Sequence, residues 1–252
     1  MIADDLGEPV PLAGPPRTVV SLVPSLTDAI ETSRPGLVTG ATDYCTHPAE
    51  LAARRVGGSK YPRVDDVLAL RPDLVVANAE ENRPEDVERI RADGIPVWVT
   101  AAAATVPEGL GSVRRLLTQG LDIPEPGWLV EAEELWRELP ERHATAVIPV
   151  WRRPWVVLGR DTFAGDVLAR LGVANAYADD PERYPRPTLD ELRAKPKDLV
   201  VLPDEPYEFT ADDGPESFPG TRYALVSGRH LTWCGPSLVE AREALRTALS
   251  LG

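Results

Sequence analysis

The sequence predicts an α/β protein of two similar lobes, each a Rossmann-like parallel sheet wrapped by helices, with a single long backbone helix joining them. Three observations predict this. Short β-branched runs alternate with helical segments; the alternation stops at an amphipathic stretch and then resumes; and a helix–Pro–strand unit occurs once in each half. Strands alternating with helices call for a parallel sheet covered on both faces. A chain of 252 residues can bury one large core or two small ones.

The first lobe is expected over 14–105, with the dozen residues before it unstructured. Arg17 to Pro24 is a β-branched apolar run that stops at a proline, and Ser25 to Ile30 then reads as a helix with Ser25 as its cap. Leu37 to Thr42 gives a second strand, Val64 to Leu70 a short helix, and Pro72 to Ala77 a third strand. A helix over about Pro84 to Ala92 leads through Gly94 to the strand Pro96 to Thr100.

A helical connector is expected over 106–142. One helix runs from Pro107 to about Thr118, a second from about Pro126 to Glu141. In the second, Trp128, Leu129, Ala132, Leu135, Trp136 and Leu139 recur at helical spacing, with acidic residues and Arg137 filling the other positions. The second lobe, 143–252, resumes with strands at Ala144 to Val150 and Trp155 to Leu158 and a helix from Phe163 to Leu171. Here Thr188 to Val201 matches Val64 to Val76 with one inserted residue, each a short helix, a proline and an Asp-Leu-Val-Val strand start. Such internal similarity argues for two lobes of one plan, and ligands of open α/β sheets bind at the carboxyl ends of the strands. The site is therefore expected in the cleft that two such lobes form.

Net charge is −13 with the basic residues scattered, which excludes nucleic acid as a partner. There is no apolar run of about 18 residues, and Met1-Ile-Ala-Asp-Asp has neither a basic nor an apolar leader region. The chain is thus expected outside the cytoplasm if a signal segment precedes it, and in the cytoplasm otherwise. No nucleophile elbow, phosphate loop or His-Glu-x-x-His motif occurs, so no catalytic residue and no intrinsic cofactor are expected.

Several segments resemble the helical-backbone metal receptors, the class III periplasmic-binding-protein-like family that includes cobalamin and ferric-siderophore receptors. They are Val19 to Asp28, Thr42 to Pro48, Val56-Gly-Gly, Leu70 to Val76, Trp151 to Thr162 and Leu231 to Gly235, in order and at matching spacing. The resemblance implies a monomeric solute-binding protein that holds a corrinoid, a ferric siderophore or a haem-like ligand between its lobes for ABC-type uptake. It implies ligand contacts from Tyr44 and its neighbours in the first lobe and from Trp151 and Trp233 in the second. Receptors of this kind dock a permease through a surface glutamate on each lobe; here the first place holds Pro84 beside Glu85, and the second holds Cys234-Gly235. A cytoplasmic metal- or corrinoid-binding protein, or an enzyme accessory, stays open as the alternative.

The residues themselves add candidates. Flat aromatic faces bury a macrocycle at low entropic cost, which brings in Trp155 and Tyr207 beside Tyr44, Trp151 and Trp233, with core packing as the competing role for each tryptophan. Glu80 and Glu205 follow equivalent strands and could receive amide donors of a ligand. Arg152 could neutralise a carboxylate. Cys45 with His47, and His230 with Cys234, form two thiol–imidazole pairs of a type suited to zinc, copper or cobalt; buried cysteines and solvated histidines account for the same letters.

Overall fold

A computed structural model describes residues 2–250. Residue contacts divide the chain into two compact units, one of residues 1–102, 109–130 and 234–236, the other of 103–108, 131–233 and 237–252. The division falls inside the helix Gly127–Leu135. Among the described residues no helix is long and apolar enough to cross a membrane.

The first unit holds a five-stranded parallel sheet in the spatial order Arg54–Arg55, Val38–Ala41, Val19–Ser21, Leu74–Asn78, Val97–Thr100. Alternate residues along three strands, Val20 and the following Leu22, Val75 and Ala77, Val97 and Val99, meet Val64, Val67, Val87 and Ile90 of the helices Val64–Leu70 and Pro84–Ala92 in one buried cluster. The two-residue period of the strands and the three-to-four-residue spacing of the helices bring these side chains onto one face. On the other face Trp98 is wholly buried, and Gly120 lies so close that a Cβ would stand 2.9 Å from its ring, so this position excludes every larger residue.

The second unit holds a four-stranded parallel sheet ordered Val173–Asn175, Ala144–Val147, Leu199–Pro203, Arg222–Val226. The strand order second, first, third, fourth is therefore the same in both units; the first adds the two-residue strand Arg54–Arg55 at its edge. The sequence repeat has an atomic counterpart. Asp73 accepts the backbone N–H groups of Arg17 and Thr18 at 2.8 and 3.0 Å, and Asp198 accepts that of Thr145 at 2.7 Å. Each aspartate stands directly before its unit's third strand and ties it to the start of the first.

Four expectations need correction. Residues 2–12 are structured: Ile2–Ala3 pairs antiparallel with Pro9–Val10, and the buried Asp4 carboxylate accepts the N–H groups of Leu6, Glu8 and Val99 and pairs with Arg91 at 3.0 Å. A lone acid in a polar-looking tail gives no periodic signal, yet here it anchors the tail to an edge strand. The helix expected from Ser25 begins at Pro24 with Val23 at its cap, because proline fits the first helical position. The helix expected to reach Glu141 ends at Leu135, leaving Leu139 exposed; Pro140 disfavours helical backbone at the residue before it. Finally, Ala144 to Val150 is two strands: the parallel Ala144–Val147, then Pro149–Trp151, which turns back against Val156–Val157.

Candidate functional site

In the first unit the loop after Val38–Ala41 carries Tyr44, which is 65% exposed. Its placement depends on Cys45, whose side chain points inward: Sγ lies 3.0 Å from Thr27 Oγ1 and 3.2 Å from Thr42 Oγ1, while Arg55 donates to the carbonyls of Thr42 and Cys45 at 2.8 Å each. The buried residue thus holds the loop, and the loop presents the aromatic. His47 is half-buried, with Nδ1 3.1 Å from Thr46 Oγ1.

The carboxyl end of the strand Leu74–Asn78 is equally constrained. Asn78 Oδ1 accepts the N–H of Glu80 at 2.8 Å, and the buried Asn82 donates to the carbonyls of Leu22 and Ser59 while accepting from the Asn78 N–H. One amide therefore gathers the loops that follow three strands. On this frame Glu80 is exposed, and Glu81 is half-buried with its carboxyl pushed up to about 7 by burial first and by the adjacent Glu80 charge second. Tyr61, which the sequence reading passed over, is 69% exposed with the Arg83 guanidinium 4.8 Å from its ring centroid. Its placement directly before the helix Val64–Leu70, at the carboxyl end of the sheet, is the signal that could have found it.

In the second unit the corresponding rim is an aromatic run. Trp151, 44% exposed, meets Tyr207 edge-on at 5.7 Å; Tyr207 tilts against Phe209 at 4.7 Å; and Phe209 stacks on Trp155 at 6.1 Å. The run passes from solvent at Trp151 into the core at Phe209. Trp155 also meets Phe218 edge-on at 5.6 Å and flanks the buried cluster of Val147, Val200 and Leu202, so its ring faces are largely occupied. Arg152 is committed as well: it pairs with Asp213 and Glu216 and lies 5.3 Å from the Trp155 ring, which places its charge inside the unit's own network. Asp213 in turn receives the Tyr207 hydroxyl at 2.5 Å.

Trp233 is 7% exposed and donates through Nε1 to Glu205 at 3.2 Å, with the Arg229 guanidinium 5.8 Å from its ring. It is a buried partner of Glu205 rather than an open stacking face. Burial and the neighbouring Asp204 raise the Glu205 carboxyl above its ordinary range, against the lowering effects of Trp233 and Arg229. A carboxyl poised in this way can accept a ligand N–H or, when protonated, donate.

The structure does not gather the expected metal ligands. Among the described residues there is no group of three or more His, Cys, Asp or Glu side chains able to hold a metal. Cys45 is sealed against two threonines and its thiol is raised by burial; the Cys234 thiol is pushed up to about 12 by burial alone. Both sulfurs are protonated at neutral pH, whereas a metal takes the thiolate. His230 faces Glu240, with Nε2 3.1 Å from the carboxylate, and Cys234 falls in the other unit.

No family model matches the chain. The vitamin B12-binding protein of Vibrio campbellii is 21% identical over 198 residues, covering 74% of this chain and 70% of that protein. Among solved structures, a periplasmic haem-binding protein from Pseudomonas aeruginosa superposes with a TM-score of 0.78 at 19% identity, over 94% of each chain. The periplasmic vitamin B12-binding protein of Vibrio cholerae does so with a TM-score of 0.70 at 15% identity, over 94% of this chain and 98% of that one. The strand order, the paired strand-start aspartates and these likenesses together give this chain the class III periplasmic-binding-protein-like fold that its sequence motifs resemble.

Proposed function

We propose that this protein is an extracytoplasmic solute-binding protein that takes up a flat metal macrocycle, a corrinoid or a haem, for delivery to an ABC-type permease. The observation that carries the proposal is the exposed Trp151 ring, held edge-on by Tyr207 at the carboxyl ends of the second unit's strands. An isolated tryptophan on a surface has no reason to be held; one braced by a tyrosine whose hydroxyl is fixed on Asp213 is preorganised to receive a ring. The relatives named for vitamin B12 and the neighbours named for haem support the same ligand class. In the second unit Glu205 supplies a polar group that fixes a ligand's orientation; the first unit carries its own open aromatics, Tyr44 and Tyr61, and its own carboxyls, Glu80 and Glu81, at the carboxyl ends of its strands. Trp155, Arg152 and Trp233 support the second unit's rim from beneath.

The test is Trp151→Ala, with affinity measured by fluorescence titration against cyanocobalamin and haemin. Loss of a stacking anchor weakens binding by about 1–2 kcal/mol, roughly tenfold, with an unchanged far-ultraviolet circular dichroism spectrum. Equal affinity of wild type and variant for every ligand that binds removes Trp151 from the site.

A further inference from the structure

In the second unit, the chain between the strand Val173–Asn175 and the helix Leu189–Ala194 folds with that helix around a cavity of about 630 Å³. Pro181, Pro185 and Pro187 line it before the helix and Pro196 after it, with Ala194 beside them. Proline fixes its own backbone angle, so walls of this kind are stiff. The segment is also tied to its surroundings: Val157 donates its N–H to the carbonyl of Pro185 at 3.0 Å, and Gly159 to that of Arg183 at 2.8 Å. Gly159 passes so close that a Cβ there would stand 2.0 Å from the carbonyl oxygen of Glu182. The cavity is thereby preformed, and none of its lining residues belongs to the rim of Trp151, Tyr207 and Glu205.

Its polar groups are of both signs. Tyr177 is 7% exposed and packs in the buried cluster around Val200, yet it lines the cavity, and its hydroxyl has no hydrogen-bond partner among the described residues. Buried polar groups are almost always paired, so an open hydroxyl at a cavity floor is a group for a ligand to satisfy. Burial first, then the charges of Glu191 and Asp180, push its titration above the ordinary range, so it keeps its proton and can donate. The half-buried Lys195 holds Nζ 4.3 Å from the Tyr177 ring centroid and has no carboxylate partner among the described residues. Glu191 stands four residues before it, but its carboxylate turns back on the helix start, accepting the Thr188 N–H and hydroxyl at 2.7 and 2.8 Å. The other two acids, Asp180 and Glu182, share one turn, in which Asp180 Oδ1 accepts the Glu182 N–H at 3.0 Å. Arg186 adds a second cation at the exposed edge.

We propose that this cavity is a second binding site, for a small zwitterion with a flat apolar body, the chemistry of a free aromatic amino acid. The ligand's carboxylate takes the Tyr177 hydroxyl and the Lys195 ammonium, and its own ammonium takes Asp180 and Glu182. Its ring lies on the proline faces, the reverse of the arrangement in which aromatic grooves receive proline-rich segments. A plain anion would meet three lining acids, and a plain cation would meet Lys195 and Arg186; only a ligand carrying both charges avoids both penalties. The volume lies in the range of small-molecule sites.

Isothermal titration of the full chain with L-tryptophan and L-phenylalanine tests this, beside tryptamine, which lacks the carboxylate, and indole-3-propionate, which lacks the ammonium. The expected result is saturable binding of at least one of the two amino acids at one per chain, with both truncated analogues at least about tenfold weaker than tryptophan. Lys195→Met, which keeps the stem over the ring and removes the charge, should weaken the amino acid by about tenfold, and Tyr177→Phe by about fivefold, each with an unchanged far-ultraviolet circular dichroism spectrum. Both variants should titrate with cyanocobalamin and haemin as wild type does, which keeps this site apart from the macrocycle reading. Absence of saturable binding by either amino acid, equal binding of tryptophan and both analogues, or equal binding of the amino acid by wild type and both variants overturns the proposal.

Discussion

Glu81 and Glu205 both lie within three residues of the end of their unit's third strand, and both carboxyls are raised by burial. For Glu81 the linkage is direct. Its folded value of about 7 lies above the ordinary 4.5, so between those values the folded chain holds a proton that the unfolded chain releases, and stability falls as pH rises through that window. We expect a loss of about 2 kcal/mol from pH 4.5 to 7.5 attributable to this group, allowing for its partial solvation. Denaturant titrations of wild type and Glu81→Gln across that range check it: the variant should be the more stable one above pH 7 and should lose that advantage below pH 5. Parallel curves would contradict it. That these carboxylates follow equivalent strands was legible from the repeat, but their burial was not: Glu205 is held by Trp233, which lies 28 residues away in sequence. The tryptophans divide for the same reason. Trp151, Trp155 and Trp233 all sit in family-like motifs, yet Phe209 and Phe218 cover Trp155 and the Glu205 hydrogen bond draws in Trp233, leaving Trp151 open.

Among elements, those with strong periodicity were readable to within a residue or two. The helices Val64–Leu70 and Pro84–Ala92 and the strands Leu74–Asn78 and Val97–Thr100 appear where their patterns put them. The elements that escaped, such as Ile2–Ala3, Pro9–Val10 and Arg54–Arg55, have two residues each and carry no period. Their existence rests on long-range bonds. For the N-terminal hairpin that bond set is Asp4, whose side chain is fully buried among three N–H donors and Arg91. Asp4→Ala should destabilise the first unit by about 3 kcal/mol, because it leaves the N–H groups of Leu6, Glu8 and Val99 without their acceptor and Arg91 with only the exposed Glu88. A drop in melting temperature with faster hydrogen exchange along Val97–Thr100 is the expected reading. Unchanged exchange there would show that the hairpin adds nothing to the edge strand it covers.

For the whole molecule, the order of motifs carried the fold. The repeated Asp-Leu-Val-Val starts announced two sheets of one plan, and the structure gives both the same strand order with the same aspartate tether. The binding surface was legible only in outline. Sequence placed aromatics and acids after the right strands but could not separate the open rings, Tyr44 and Trp151, from those that support them, and it missed Tyr61. The cysteine and histidine pairs looked alike as letters and part ways in space, where burial protonates the thiols and Glu240 occupies His230. The most direct test of the account is titration of the purified protein with cyanocobalamin, haemin and a ferric siderophore, following tryptophan fluorescence and visible absorbance together. A flat-macrocycle binder takes up cobalamin or haemin saturably at one ligand per chain, with quenching that Trp151→Ala diminishes. No saturable response to either macrocycle would contradict it.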